Sequence, residues 1–177
     1  MRVAFAHTPK HMIYPGSLTA LADGRVIHAW NTWYQPEMGE KKGEKSRYVQ
    51  FSVSADDGKT WSEPKSLAKN AAAHSVIRHP IVELADDEWL FPLMDRTVVY
   101  DPKTGDTKVY DIPVKHHGIN SITPDESRGV AYISTCSDGR RGPGESSIFL
   151  ILDLKTGKYR ELIDTERHTI VQSVHPS

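Results

Sequence analysis

The sequence predicts an all-β fold, on three observations. Helical periodicity is missing, short strand-like runs recur along the chain, and their order repeats at steps of 47 and 52 residues. No long stretch keeps apolar residues at i, i+3 and i+4, and Pro or Gly interrupts at short intervals. Strand-like runs fall instead at Arg2 to Ala6, Ser17 to Leu21, Arg25 to Trp30, Tyr48 to Val53, Ile81 to Leu84, Trp89 to Leu93, Thr97 to Tyr100, Lys108 to Ile112, Val130 to Thr135, Ile148 to Leu152 and Tyr159 to Ile163. Most are rich in Val, Ile, Tyr and Trp and bounded by Asp, Gly, Asn or Pro, the composition that suits a pleated, half-buried ribbon between turns.

The repeat orders these runs. Residues 14–30, YPGSLTALADGRVIHAW, read Pro, strand, Asp-Gly turn, strand; residues 79–93, HPIVELADDEWLFPL, read the same, and residues 118–134, GINSITPDESRGVAYIS, form a looser third copy. Each copy is followed by a hairpin with a turn glycine, at Gly58, Gly105 and Gly157. The last two turns share D-x-K-T-G, at Asp101 to Gly105 and Asp153 to Gly157, where glycine supplies the positive φ of a hairpin bulge. Four strands per unit at this period predict a β-propeller of four-stranded antiparallel blades. The units span residues 12–68, 74–113 and 116–165, and residues 168–177 resemble the start of the next, because NSITP and QSVHP stand 52 residues apart. Rings close with about four to eight blades, so a single partial propeller domain is expected. The alternative is a compact three-sheet domain with loose repeats.

Bulk composition narrows the function classes. A chain of 177 residues with 38% hydrophobic content can bury one core, and a formal charge of −1 offers no electrostatic footprint for nucleic acid or an anionic membrane. Cys136 is the single cysteine, which excludes a disulfide framework and a thiolate metal knuckle within the chain. Met1 to His7 is interrupted too soon by His7, Pro9 and Lys10 to act as a signal-peptide core, so the sequence leaves the compartment open. No run approaches the roughly 18 apolar residues of a membrane span.

Residues 51–64, FSVSADDGKTWSEP, carry the most patterned motif: Ser54, Asp56, Gly58, Thr60 and Trp61 in the frame S-x-D-x-G-x-T-W. This resembles the Asp box, or BNR repeat, of the sialidase (neuraminidase) superfamily, with the hairpins at residues 15–33 and 77–93 similar to those that accompany such boxes. The resemblance extends over residues 12–100. It implies a six-bladed ring of which this chain is a fragment, and a glycan-directed protein, sialidase-like and acting on terminal sugars or binding glycoconjugates, in a family that is often secreted or periplasmic. The box itself reads as structural. Ser54 and Asp56 are short acceptors for loop N–H groups, Gly58 turns the chain, and Trp61 covers the blade.

Chemistry is expected where innermost strands begin, at the mouth of a propeller channel. His11, Met12, Ile13 and Tyr14 precede the first such strand, Ile77, Arg78 and His79 the second, and Lys115, His116 and His117 the third, with His168, Gln172 and His175 at the start of the next unit. Sialidases hold a sugar carboxylate with three arginines, because a guanidinium fork matches it bidentately, and use an Asp acid/base with a Tyr–Glu nucleophile pair. Arg78, His79, Asp95 and Arg96 are the catalytic candidates on this resemblance. The first family arginine is missing, since Ile13-Tyr14-Pro15 stands in its place. Arg78 paired with Glu83 or Asp95 as a structural ion pair is the competing reading. Trp33, Tyr34 and His117 are candidates for substrate binding, with Trp30 assigned to the core and the charged stretch 36–46 beside them. Residues 136–147, with Arg140 and Arg141, make a second long loop.

No cofactor is expected in the sialidase-like reading. The histidines allow another, in which His79, His117, Gln172 and His175 hold Mn or Zn, an arrangement that resembles the oligogalacturonate lyases in residue type and blade position. A third reading is a non-catalytic propeller serving as an interaction scaffold.

Overall fold

Alternation of large apolar residues with polar ones governs how the strands assemble. In a computed structural model the described residues are 11–34, 47–67, 76–77, 79–84, 86–113, 117–137 and 148–163. Strands β1 (His11–Ala20), β2 (Val26–Tyr34), β3 (Arg47–Ser54) and β4 (Lys65–Ser66) make one antiparallel sheet in chain order. Strands β5 (Val82–Glu83), β6 (Trp89–Pro92), β7 (Arg96–Tyr100) and β8 (Thr107–Asp111) make a second. Strands β9 (His117–Asp125), β10 (Val130–Ser137), β11 (Phe149–Asp153) and β12 (Tyr159–Ile163) make a third, again in chain order. The all-β expectation is met with antiparallel four-stranded sheets, and the described residues contain no α-helix, only a 3-10 turn at Glu126–Arg128.

Period-two geometry then decides which residues meet between sheets. Ile27 and Ala29 lie opposite Val53 and Phe51, while Trp89 and Phe91 lie opposite Tyr100 and Val98, and these faces pack on one another. Phe51 sits at the centre, its ring 5.1 Å from Tyr100, 5.4 Å from Phe91 and 6.0 Å from Trp89, in tilted or edge-on contacts. Truncating such a ring costs about 3–5 kcal/mol. The third sheet packs on the far side of the second through Ala131, Ile133, Leu150 and Leu152, with Tyr110 and Ile112 against them. There the Tyr159 hydroxyl donates to the Tyr110 carbonyl at 2.9 Å and lies 3.2 Å from Thr97 Oγ1. Burial pushes the Tyr159 phenol up to about 12.

Polar ties hold the beginning of each sheet to its predecessor. The Asn31 side-chain amide donates to the Ile77 carbonyl at 3.0 Å and its Oδ1 accepts the Ile77 N–H at 2.8 Å, both buried. Ile77 in turn bridges to Leu93. Thr19 Oγ1 accepts from the Ile81 N–H, and Glu83 Oε2 from the Ala22 N–H. Between the second and third sheets the Ile119 N–H donates to the Met94 carbonyl at 2.7 Å.

Several element boundaries differ from the sequence reading. The first strand starts at His11 rather than Ser17, because a bulge between Pro15 and Ser17 carries the proline inside the ladder. Gly16 occupies that bulge: a Cβ there would lie 2.3 Å from the Ala29 carbonyl oxygen and 2.8 Å from Ile77 Cγ2. His11, Met12, Ile13 and Tyr14 therefore belong to the strand itself and not to a segment before it. The second inner strand is trimmed from Ile81–Leu84 to Val82–Glu83, and β4 pairs through two exposed residues with no apolar pattern to announce them. The expected strand Arg2 to Ala6 lies outside the described residues.

The two D-x-K-T-G turns are built alike. Asp101 Oδ1 accepts from the Lys103 and Thr104 N–H groups, as Asp153 Oδ1 does from Lys155 and Thr156, and each glycine N–H returns to its aspartate carbonyl at 2.8 Å. Their glycines differ only in surroundings. Gly105 has φ 82° and meets nothing nearer than 4.0 Å, whereas a Cβ on Gly157, φ 70°, would fall 2.1 Å from the Tyr110 ring. Gly105→Ala should cost about 1–2 kcal/mol of backbone strain in urea unfolding. Gly157→Ala should cost at least about 1 kcal/mol more, because Tyr110 must leave the seam between the second and third sheets. Equal losses would show that this seam is not packed as described.

Candidate functional site

Up-and-down connectivity sorts the side chains onto two opposite edges of the sheets. The upper edge is where β1 and β9 begin; the lower edge holds the turns at residues 21–25, 55–64, 86–88, 101–106, 125–129 and 153–158. Register places Trp33 opposite Met12 and Tyr34 opposite His11, the last pairs of β1 and β2 at the upper edge. His117, opposite Ser137, begins the third sheet there. His79 follows Ile77 toward β5 and is partly buried, Asp95 lies in the turn between β6 and β7, and Arg96 begins β7. The ties at Ile77 and Ile119 join these upper corners, so six of the sequence-derived candidates share one edge. Arg78, Gln172 and His175 lie outside the described residues.

Arg96 is the best-defined of these groups. Its Nη2 lies 2.8 Å from Asp95 Oδ2, its Nε donates to Asp95 Oδ1 at 3.2 Å, and Nε lies 3.3 Å from Asp111 Oδ1. Asp111 is its direct cross-strand partner, at the end of β8. The Asp95 carboxylate, then Asp111, hold the guanidinium above its ordinary pKa, and burial works against them. The guanidinium is therefore engaged from both sides within its own sheet, by the preceding turn residue and by the neighbouring strand β8. Asp111 was not among the sequence candidates; its place at the end of a strand-like run is the only signal it gives.

Of the acids proposed to pair with Arg78, Glu83 accepts the Ala22 N–H and Asp95 binds Arg96. Among the described residues no group of three or more His, Cys, Asp or Glu gathers in a metal-ligand arrangement. His79 and His117 are the described members of the proposed Mn or Zn set.

The Asp-box residues stand at the lower edge, between β3 and β4. Ser54 Oγ accepts the Gly58 N–H at 2.8 Å and the Asp56 N–H at 3.3 Å, and donates to Asp56 Oδ1. Asp56 then accepts the Thr60 N–H at 2.8 Å and the Thr60 hydroxyl at 2.7 Å, while the Trp61 indole N–H donates to the Gly58 carbonyl. The side-chain polar groups of Ser54, Asp56, Thr60 and Trp61 all bond within their own loop. These bonds, led by the Thr60 N–H, bring the Asp56 carboxyl down to about 2. The box also leans on its sheet: Trp61 meets His28 edge-on at 6.0 Å, and His28 lies 5.2 Å from Trp30. Burial lowers the His28 pKa.

No family model matches the chain, and no curated protein does. Among solved structures it is similar to a protein of unknown function from Dyadobacter fermentans, at 16% identity and a TM-score of 0.64, over 89% of this chain and 52% of that one. A puromycin-hydrolyzing peptidase from Mycobacterium tuberculosis aligns at 15% identity and a TM-score of 0.36, over 89% of this chain and 30% of that one. The chain spans about half the length of the Dyadobacter protein, and the likeness to it is one of fold. No helix among the described residues is long and apolar enough to cross a membrane.

The low Asp56 pKa carries a pH signature. A carboxyl depressed from 3.8 to about 2 on folding adds stability that is fully present above the ordinary value and lost as pH falls through the folded one. In thermal melts, the destabilisation caused by Asp56→Asn should therefore be largest near neutrality and shrink between about pH 4 and pH 2. A difference independent of pH would contradict the hydrogen-bond pattern of the box.

Proposed function

We propose that the three sheets are blades of a β-propeller of the BNR, sialidase-like type, and that the chain recognises glycans at its upper edge. The observation that carries this reading is the separation of roles. The Asp box spends its polar groups on its own loop at the lower edge, while Trp33, Tyr34, His79, Asp95, Arg96 and His117 share the opposite one. Identical chain order in all three sheets, with consecutive sheets packed face to face, supports the blade assignment. In this reading Trp33 and Tyr34 stack on sugar rings, and His117 and His79 donate hydrogen bonds.

The ion pairs of Arg96 favour recognition over hydrolysis. A guanidinium held by two carboxylates has less to offer a sugar carboxylate, and the missing arginine at Ile13-Tyr14-Pro15 points the same way. The same observation supports the second reading, a non-catalytic interaction scaffold. A glycan array separates the two. Binding to carbohydrate, weakened about tenfold by Trp33→Ala without loss of the thermal transition, is the expected result. An array on which nothing binds, with fluorogenic sialosides left intact, leaves the scaffold.

A further inference from the structure

Two cavities open between consecutive sheets at the lower edge, and they differ in charge. The larger, about 460 Å³ between the second and third sheets, is lined by Asp86, Glu88 and Glu126 together with Lys108 and Lys155, and Lys108 is paired with Glu88 at 2.9 Å. Opposite charges there answer one another. The smaller, about 190 Å³ between the first and second sheets, has no acidic residue in its lining.

Its walls are the aromatic edge of the core, Phe51, Trp89 and Tyr100, and its rim holds Arg25, Lys65 and Ser62. Lys65 is the cross-strand partner of Phe51, so the pleat sends both side chains to the face that meets the second sheet. Arg25 comes from the turn after β1, its guanidinium carbon 5.8 Å from the centre of the Trp89 ring. Its Nε donates to Asp23 Oδ2, a bond that does not use the two Nη groups. Lys65 has no salt bridge among the described residues. Two cations thus share the rim of one apolar-floored cavity.

We propose that this cavity is a binding site for a carboxylate carried on a six-membered ring. Arg25 and Lys65 take the carboxylate between them through charge-assisted hydrogen bonds, and the ring lies against Trp89 and Tyr100. The volume, below that of sites for drug-sized ligands, holds one such ring and not a chain of them. The site stands at the opposite edge from the proposed glycan-recognising groups and does not depend on them. An aromatic acid and an acidic sugar offer the same chemistry, and the choice of probe tells them apart.

The test titrates benzoate and D-glucuronate separately into the full chain, with Trp fluorescence and calorimetry as readouts and benzamide and D-glucose as neutral controls. Saturable binding of at least one acid, at one site per chain, is expected, with its neutral counterpart at least about tenfold weaker. Arg25→Ala and Lys65→Ala should each weaken the acid about tenfold, and Lys65→Arg should keep it, with thermal melts confirming that each variant folds. Binding that Lys65→Ala leaves unchanged, equal binding of acid and neutral analogue, or no saturation by either acid overturns the proposal.

Discussion

Two hydrogen bonds between the Asn31 side chain and the backbone of Ile77 are the join on which the rest of the structure depends. Each four-stranded sheet has two faces and can bury neither alone. Once Ile77 is held against the end of β2, its bridge to Leu93 brings β6 into line, and Trp89, Phe91, Val98 and Tyr100 fall onto Phe51 and its neighbours. A short polar side chain does here what a main-chain ladder does within a sheet, and both bonds are buried, where an unmatched amide costs about 1–3 kcal/mol. The next join uses main chain alone, from Ile119 to Met94.

That join also orders the chemistry. It sets the beginnings of successive sheets side by side, so residues far apart in sequence, Tyr34, Asp95 and His117 among them, come to one edge. The lower edge receives the aspartate-capped turns, whose carboxylates are consumed by neighbouring N–H groups. An acid tied into its own loop has a depressed pKa and little capacity to move a proton near neutrality, which is why Asp56 is a fastener despite its conspicuous motif. Arg96 shows the same logic at the upper edge, its charge answered from within its own hairpin.

Much of this was legible in the sequence, for a physical reason. Turns such as Asp101 to Gly105 and the Ser54 to Trp61 box are local: the residues that make the bonds are within a few positions of those that receive them, so spacing alone reveals them. The apolar alternation around Ala29, Phe51 and Phe91 is equally visible, since period two is written residue by residue. Non-local features were not. Nothing near Pro15 announces that a bulge at Gly16 admits it to a strand, because the reason lies at Ala29 and Ile77. The two-residue β4 has no apolar signature, and the Arg96–Asp111 pair depends on strand register. The candidate site was legible as a set of positions sharing an edge, while the engagement of the Arg96 guanidinium by both carboxylates was not.

Native-state hydrogen exchange at the Ile77 amide tests the account most directly. Its only partner in the join is a side-chain oxygen, so its protection reports whether Asn31 holds the second sheet to the first. The account predicts that the Ile77 N–H exchanges as slowly as the amides of Ala29 and Phe91, through the same opening of the shared core. Exchange at the rate of an open peptide, with Ala29 and Phe91 still protected, would show that the two sheets are not joined there.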